Sequence, residues 1–204
     1  MLRYADLSHL HRLRYFRPHF RRGLRSYLRR LHAETAPKRA FLLRAGEVCK
    51  HFAFVLTGAL RMYSVDDKGN EHVLSLGVEN WWVGDRESCV LLTPSRYYID
   101  ALEEASLLLI THAHMQELIR TVPAMAELMR GLDRRHEIAN QKRLEAAISS
   151  TAEERYVAFL AQHPSYVQRF PQHLIASYLG ILPETLSRIR TKLQTKSQPV
   201  AALS

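Results

Sequence analysis

The chain has 204 residues, 24% of them charged and 47% hydrophobic, and a formal charge of +9. That length has room for one large domain or two small ones with genuine cores, and no apolar run or secretory leader points to a membrane or an export route. Two cysteines and eight unclustered glycines exclude a four-cysteine metal site and a phosphate-cradling glycine loop within the chain, and there is no G-x-S-x-G or H-E-x-x-H for an enzyme to use.

The charge is unevenly placed. Residues 1–40 carry 11 Lys+Arg against 2 Asp+Glu, residues 41–150 carry 12 against 15, and residues 151–204 carry 6 against 3. Basic ends around an acidic middle suit a chain whose C-terminal piece meets a polyanion. The Arg-rich start (Arg12, Arg14, Arg17, Arg21, Arg22, Arg25, Arg29, Arg30) has Leu10, Leu13, Leu24, Leu28 and Leu31 at mostly helical spacings. It reads as a pair of amphipathic helices packed on the next domain, with a second phosphate-contacting surface, or a protein or membrane contact, as the alternatives. It also resembles a transit peptide, but it runs into the next domain with no cleavage-like break. The expectation is a soluble, cytoplasmic chain with no membrane partner.

From Arg39 to Ile110 the sequence turns β-prone. Phe41–Leu43, Phe52–Leu56, Ala59–Tyr63, Val73–Leu76 and Leu107–Ile110 are short runs separated by turn signals at Gly46, Gly58, Asp66-Asp67-Lys68-Gly69-Asn70 and Gly84-Asp85. Many short strands at this spacing predict a compact antiparallel barrel or sandwich. Of Trp81-Trp82, one ring is expected inward and the other exposed. Cys49 and Cys89 form no CxxC pair, and buried thiols are the default for both.

Met115, Leu118, Val122, Met125, Met129, Leu132, His136, Ala139, Arg143 and Ala146 alternate spacings of three and four. Such a stripe predicts a coiled-coil seam and self-association, with packing on the chain's own barrel as the alternative. Pro123 marks either the true helix start or a kink. Ser150 and Glu153 have the spacing of a capping box, so a helix Ala152–Gln162 should follow, ended by His163-Pro164. From Thr195 the tail is read as disordered.

Between these lies Gln172–Leu193, QHLIASYLGILPETLSRIRTKL, which reads as a helix-turn-helix. Ile175, Leu179, Ile181, Leu186 and Ile189 fall where two crossing helices bury their inner faces, and Ala176 is small at their closest approach. Gly180 ends the first helix in a left-handed backbone, and Pro183 suits the first turn of the second. Glu184, Ser187 and Arg188 then share one face, the layout that lets N-terminal side chains reach base edges.

This order of parts resembles the Crp/Fnr family of bacterial transcription regulators. The resemblance rests on Leu43-Arg44-Ala45-Gly46-Glu47-Val48, Phe54–Arg61 (FVLTGALR), Gly69-Asn70-Glu71, Gly84-Asp85 and Glu184-Thr185-Leu186-Ser187-Arg188, and runs from about residue 20 to Leu193. It implies an α+β fold: an antiparallel, jelly-roll-like β-roll of the cyclic-nucleotide-binding type with N-terminal helices (1–110), a long dimerisation helix (111–150) and a C-terminal winged helix-turn-helix (151–204). It implies a homodimer on double-stranded DNA at a near-palindromic site. Glu184, Thr185, Ser187 and Arg188 would lie at the bases, and Arg190 and Lys192 at phosphates. Pro183 stands where many relatives have a polar or basic residue. RNA polymerase is a further partner that activation would need, and no residue pattern identifies a surface for it.

Members that bind cyclic nucleotides use Gly-Glu for the ribose and Arg-Ser/Thr-Ala for the phosphate. Here Gly84-Asp85 and Ser95-Arg96 stand in the corresponding stretches, followed by Tyr97-Tyr98. A one-residue offset on a strand turns Arg96 away from the pocket. The reading is therefore no cofactor, with a cyclic nucleotide as the disfavoured alternative. His9-x-His11 and His112-x-His114 lack partners at metal-ligand spacing, although one axial histidine would suffice for a haem. The rival function is a small-molecule sensor that acts through protein contacts.

Overall fold

The computed structural model describes residues 32–197. The Arg-rich segment and its expected helices lie outside the described residues, as does the tail beyond Ser197. The described chain forms two compact units, one ending at Arg135 and the other beginning at His136.

The first unit is built on two antiparallel four-stranded sheets. The strands are β1 (His32–Ala36), β2 (Phe41–Leu43), β3 (His51–Thr57), β4 (Leu60–Val65), β5 (Glu71–Gly77), β6 (Trp82–Val83), β7 (Tyr98–Ala101) and β8 (Ala105–Thr111). One sheet has the order β1-β8-β3-β6 and the other β2-β7-β4-β5. All five β-prone runs become strands, while β1, β6 and β7 come from stretches without a clear period-two signal.

The uninterrupted apolar run FAFVL in β3 follows from coverage on both faces. Ala53 and Val55 pair with Leu109 and Leu107 on the face that joins Leu60, Ile99 and Ala101 in the core between the sheets. Phe52 and Phe54 pair with Ile110 and Leu108 on the other face. There they meet Trp82, Met115, Leu118 and Met125. Trp82 packs 5.1 Å from Phe54 while Trp81 stays 37% exposed, so one tryptophan is inward and one outward.

Gly58, between β3 and β4, has φ +96°, and a Cβ there would stand 2.5 Å from the Glu104 carbonyl oxygen. Any side chain would be strained and clash with backbone. On the second sheet, Arg61 makes a two-pronged bond to Asp100 at 2.8 and 3.0 Å, pairs with Glu71 and lies over the Tyr63 ring. This pins β4 to both of its neighbours.

Three helices leave this unit or lie on it: α1 (Arg86–Leu91), α2 (His112–Thr121) and the first part of α3 (Pro123–Ser149). Pro123 starts α3 rather than kinking one long helix. Val122 before it is extended (φ −121°, ψ 96°), as a residue preceding proline prefers. The early part of the apolar stripe (Met115, Leu118, Val122, Met125, Met129) packs on the chain's own sheet, where the sequence reading placed a partner helix. Beyond it, Ile138, Leu144 and Ile148 are exposed, at 46, 64 and 80%.

The second unit continues with α4 (Ala152–Gln162), α5 (Tyr166–Arg169), α6 (Gln172–Leu179) and α7 (Pro183–Ser197). The capping box at α4 is Thr151–Glu154, one residue later than the spacing of Ser150 and Glu153 suggested. The threonine hydroxyl meets the Glu154 N–H at 3.3 Å, and the Thr151 N–H donates to Glu154 Oε2 at 2.8 Å. Phe159, Tyr166 and Phe170 pack ring to ring, and Tyr156, Ile175 and Leu186 are buried in the same unit. Helix α7 runs on through Thr195 to Ser197, which corrects the expected end of order at Thr195. Its third-turn polar residues remain compatible with helix, since Thr191 and Thr195 bond back to carbonyls one turn earlier. Among the described residues this unit has no β-strand, so the wing of the helix-turn-helix is not among them.

Candidate DNA-reading face and effector site

Helix α6 ends as its sequence requires. Gly180 is left-handed (φ 63°, ψ 41°) and its N–H reaches the Ala176 and Ser177 carbonyls. The Ile181 N–H bonds to the Ala176 carbonyl at 2.9 Å, closing a Schellman motif. Arg155 of α4 adds a brace that the sequence did not advertise, donating to the Ser150 carbonyl at 2.9 Å and the Gly180 carbonyl at 3.3 Å. Arg143 lies 4.9 Å over the Tyr178 ring.

Pro183 then opens α7 in its first turn, where a missing N–H costs nothing. Leu186 and Ile189 are buried, while Leu179, expected inward with them, is only half-buried. Glu184, Ser187 and Arg188 are exposed together on the opposite face, and Thr185 is half-buried. Arg188 Nη2 donates to Thr185 Oγ1 at 3.2 Å, which steers the guanidinium along the helix toward its N-terminus. The two residues expected at phosphates differ. Arg190 is half-buried, and Lys192 donates to Glu153 Oε2 on α4 at 2.6 Å.

Of the four residues of the expected effector site, Asp85 and Ser95 meet in the β-roll, where they are occupied with each other and with the fold, while Arg96 stays outside. Asp85 is buried and caps α1: Oδ1 accepts the N–H groups of Glu87 and Ser88 at 3.1 and 3.3 Å. Its other oxygen, Oδ2, accepts the Ser95 hydroxyl at 2.7 Å. Ser95 is itself buried and zipped to the neighbouring loop, its N–H bonding to the Glu47 carbonyl and its carbonyl to the Gly46 N–H, both at 2.8 Å. Gly84 lies against β3, where a Cβ would come within 2.9 Å of the Phe52 ring. Arg96 is exposed and folds toward the Tyr97 hydroxyl at 3.4 Å.

Sequence reasoning missed Ser88, which completes this arrangement. Its Oγ accepts the Cys49 N–H at 2.8 Å and donates to the Thr93 carbonyl at 2.6 Å. A serine inside a six-residue helix carries no pattern that distinguishes it from a solvated one. Among the described residues, no cluster of three or more metal-ligating side chains forms, and no helix is long and apolar enough to cross a membrane.

The cyclic nucleotide-binding domain model matches residues 33–122, which span the β-roll and α2. Relatives match more of the chain. The transcriptional activator protein Anr of Pseudomonas aeruginosa is 29% identical over 174 residues, covering 77% of this chain and 68% of that protein. FnrA of Stutzerimonas stutzeri, also a transcriptional activator, is 30% identical over 166 residues, covering 75% and 66%. In fold, the chain is similar to FixK2 from Bradyrhizobium japonicum, with a TM-score of 0.70 at 17% identity over 84% of this chain and 89% of that one. The relatives are regulators rather than enzymes. With a β-roll, a long helix and a helix-turn-helix in this order, the chain belongs to the Crp/Fnr family of transcription regulators.

Proposed function

We propose that this chain is a homodimeric, sequence-specific DNA-binding regulator whose β-roll does not take a cyclic nucleotide in the usual way. The observation that carries the DNA reading is the two-sided character of α7. Leu186 and Ile189 anchor it, while Glu184, Ser187 and Arg188 stand exposed on one face at its N-terminal end. Arg188 can fork onto guanine O6 and N7, and Glu184 can accept from cytosine N4. Arg190 contacts phosphate, and Lys192 does so more weakly because it shares its charge with Glu153.

Residues 111–150 serve as the dimer and coupling region between an N-terminal domain over 1–110, whose described part is the β-roll, and a DNA-binding domain over 151–204. Exposed Ile138, Leu144 and Ile148 on the later part of α3 support self-association there. A two-fold dimer sets its recognition helices about 34 Å apart, which calls for a near-palindromic site. The bonds from Asp85 to Ser95 and to the α1 N–H groups, with Arg96 outside, support a β-roll without the usual phosphate clamp.

Selection from random duplex DNA with the purified full chain and no added ligand tests this reading. The expected product is a near-palindromic consensus whose binding weakens steeply with salt. Failure to enrich any sequence, with and without cell extract, overturns the DNA reading. Calorimetric binding of cyclic AMP or cyclic GMP that Arg96→Ala abolishes overturns the second half.

A further inference from the structure

The sequence leaves Cys49 and Cys89 forty residues apart with no motif to join them; the fold sets them side by side. Both are free and buried, at 4 and 1% exposure, in the core between the sheets. Cys49 follows the Val48–Pro94 bridge and stands two residues before the first residue of β3. Cys89 lies in α1, its N–H bonded to the Asp85 carbonyl at 2.9 Å. Ser88, its neighbour, holds the Cys49 N–H at 2.8 Å and so clamps α1 to that strand entry. Cys49 and Cys89 share one buried core cluster, and the Cys49 thiol donates to the His51 carbonyl oxygen at 3.3 Å. Asp85 is the carboxylate that acts on both sulfurs.

The pair is chemically unequal. The neighbouring Cys89 thiol lowers Cys49 to about 7, against burial and the Asp85 carboxylate, which both raise it. The same contact pushes the Cys89 thiol up, and burial adds to it. Cys49 is thus the more acidic sulfur of the pair and Cys89 the one that keeps its proton, the division of roles that thiol oxidation uses.

We propose that Cys49 and Cys89 form a redox-responsive dithiol that a peroxide closes to an intrachain disulfide. The Cys49 thiolate attacks one peroxide oxygen and the O–O bond breaks. Cys49 becomes a sulfenic acid, and the other oxygen leaves as hydroxide, which takes up the proton released by Cys49 to become water. The Cys89 sulfur then attacks the sulfenic sulfur. The S–S bond forms, the S–OH bond breaks, and the oxygen leaves as a second water with the proton of Cys89. Two thiols lose two electrons in all and one peroxide becomes two waters. The bond ties α1 covalently to the entry of β3. Because α1 begins beside Asp85 and its Arg86 pairs with Asp133, three turns into α3, at 2.6 Å, it joins the β-roll site to the long helix.

The test treats the native full-length chain with hydrogen peroxide, quenches it, unfolds it, and alkylates the remaining thiols before intact-mass measurement. The expected result is loss of both alkylatable thiols and a mass lower by about 2 Da, reversed by dithiothreitol, with single chains on a non-reducing gel. Cys89→Ser should stop at a dimedone-reactive sulfenic acid on Cys49. Two thiols that still alkylate after treatment, sulfinic acid on Cys49 of the unmutated chain without a disulfide, or a disulfide joining two chains would each overturn the proposal. The measurement on the unmutated chain decides it even where a variant does not fold.

Discussion

Asp85 and Ser95 in the β-roll commit their polar atoms to one another and to the backbone, whereas Glu184, Ser187 and Arg188 on α7 stand in solvent around one short contact to Thr185. Both groups sit where the family resemblance places function, and Asp85, like Glu184, stands at the start of a helix. The difference lies in what is already satisfied. A buried carboxylate that already holds three donors cannot turn to a ribose without breaking bonds of the fold, because an orphaned buried partner costs about 1–3 kcal/mol. An exposed arginine held only by a neighbouring hydroxyl gives up little when it turns to a base edge. Similar motif positions therefore separate into a structural knot and a face that remains open for a partner.

Five substitutions test that contrast. Asp85→Ala removes the cap of α1 and strands Ser95, so it should lower unfolding free energy by about 3 kcal/mol, read by chemical denaturation. An unchanged midpoint would show that the knot is not structural. Arg188→Ala should leave that midpoint where it is and weaken binding to the selected site by about 10- to 100-fold, with relaxed specificity at one position of each half-site. Uniform binding loss across all sequences would move Arg188 from base reading to phosphate contact.

Lys192→Ala should cost less, about two- to five-fold in affinity at moderate salt, because its ammonium already pairs with Glu153 in an exposed contact of small worth. Glu153→Gln should then raise affinity through the freed lysine; a fall would place Glu153 itself in the DNA contact. The smallest effect concerns His163, stacked 4.6 Å from Tyr166 and half-buried. Burial lowers its pKa from 6.5, so the folded state prefers the neutral ring. The stability this provides is complete above about pH 6.5 and is lost as the pH falls toward the depressed value. The thermal midpoint of the chain should drop between about pH 7.5 and pH 5.5, and His163→Phe should flatten that drop. A midpoint as pH-sensitive in the variant as in the parent would assign the effect to another group.

What the sequence by itself determined is local. The turn at Gly180, the helix start at Pro183, the two-sided pattern of Leu186 and Arg188, and the β-prone runs between Phe41 and Ile110 all follow from backbone preferences and short-range periodicity. These survive in the structure because neighbouring residues alone decide them. The partner of the Met115–Met129 stripe was not legible, since an apolar stripe serves a foreign helix and a chain's own sheet equally well. Nor were β1, β6 and β7 legible, for they are short strands completed by pairing with partners far along the chain. Only tertiary structure turned Asp85 toward Ser95, placed Ser88 beneath Cys49 and brought Cys49 to Cys89. Such contacts depend on which strands lie side by side, and no spacing within one element records that.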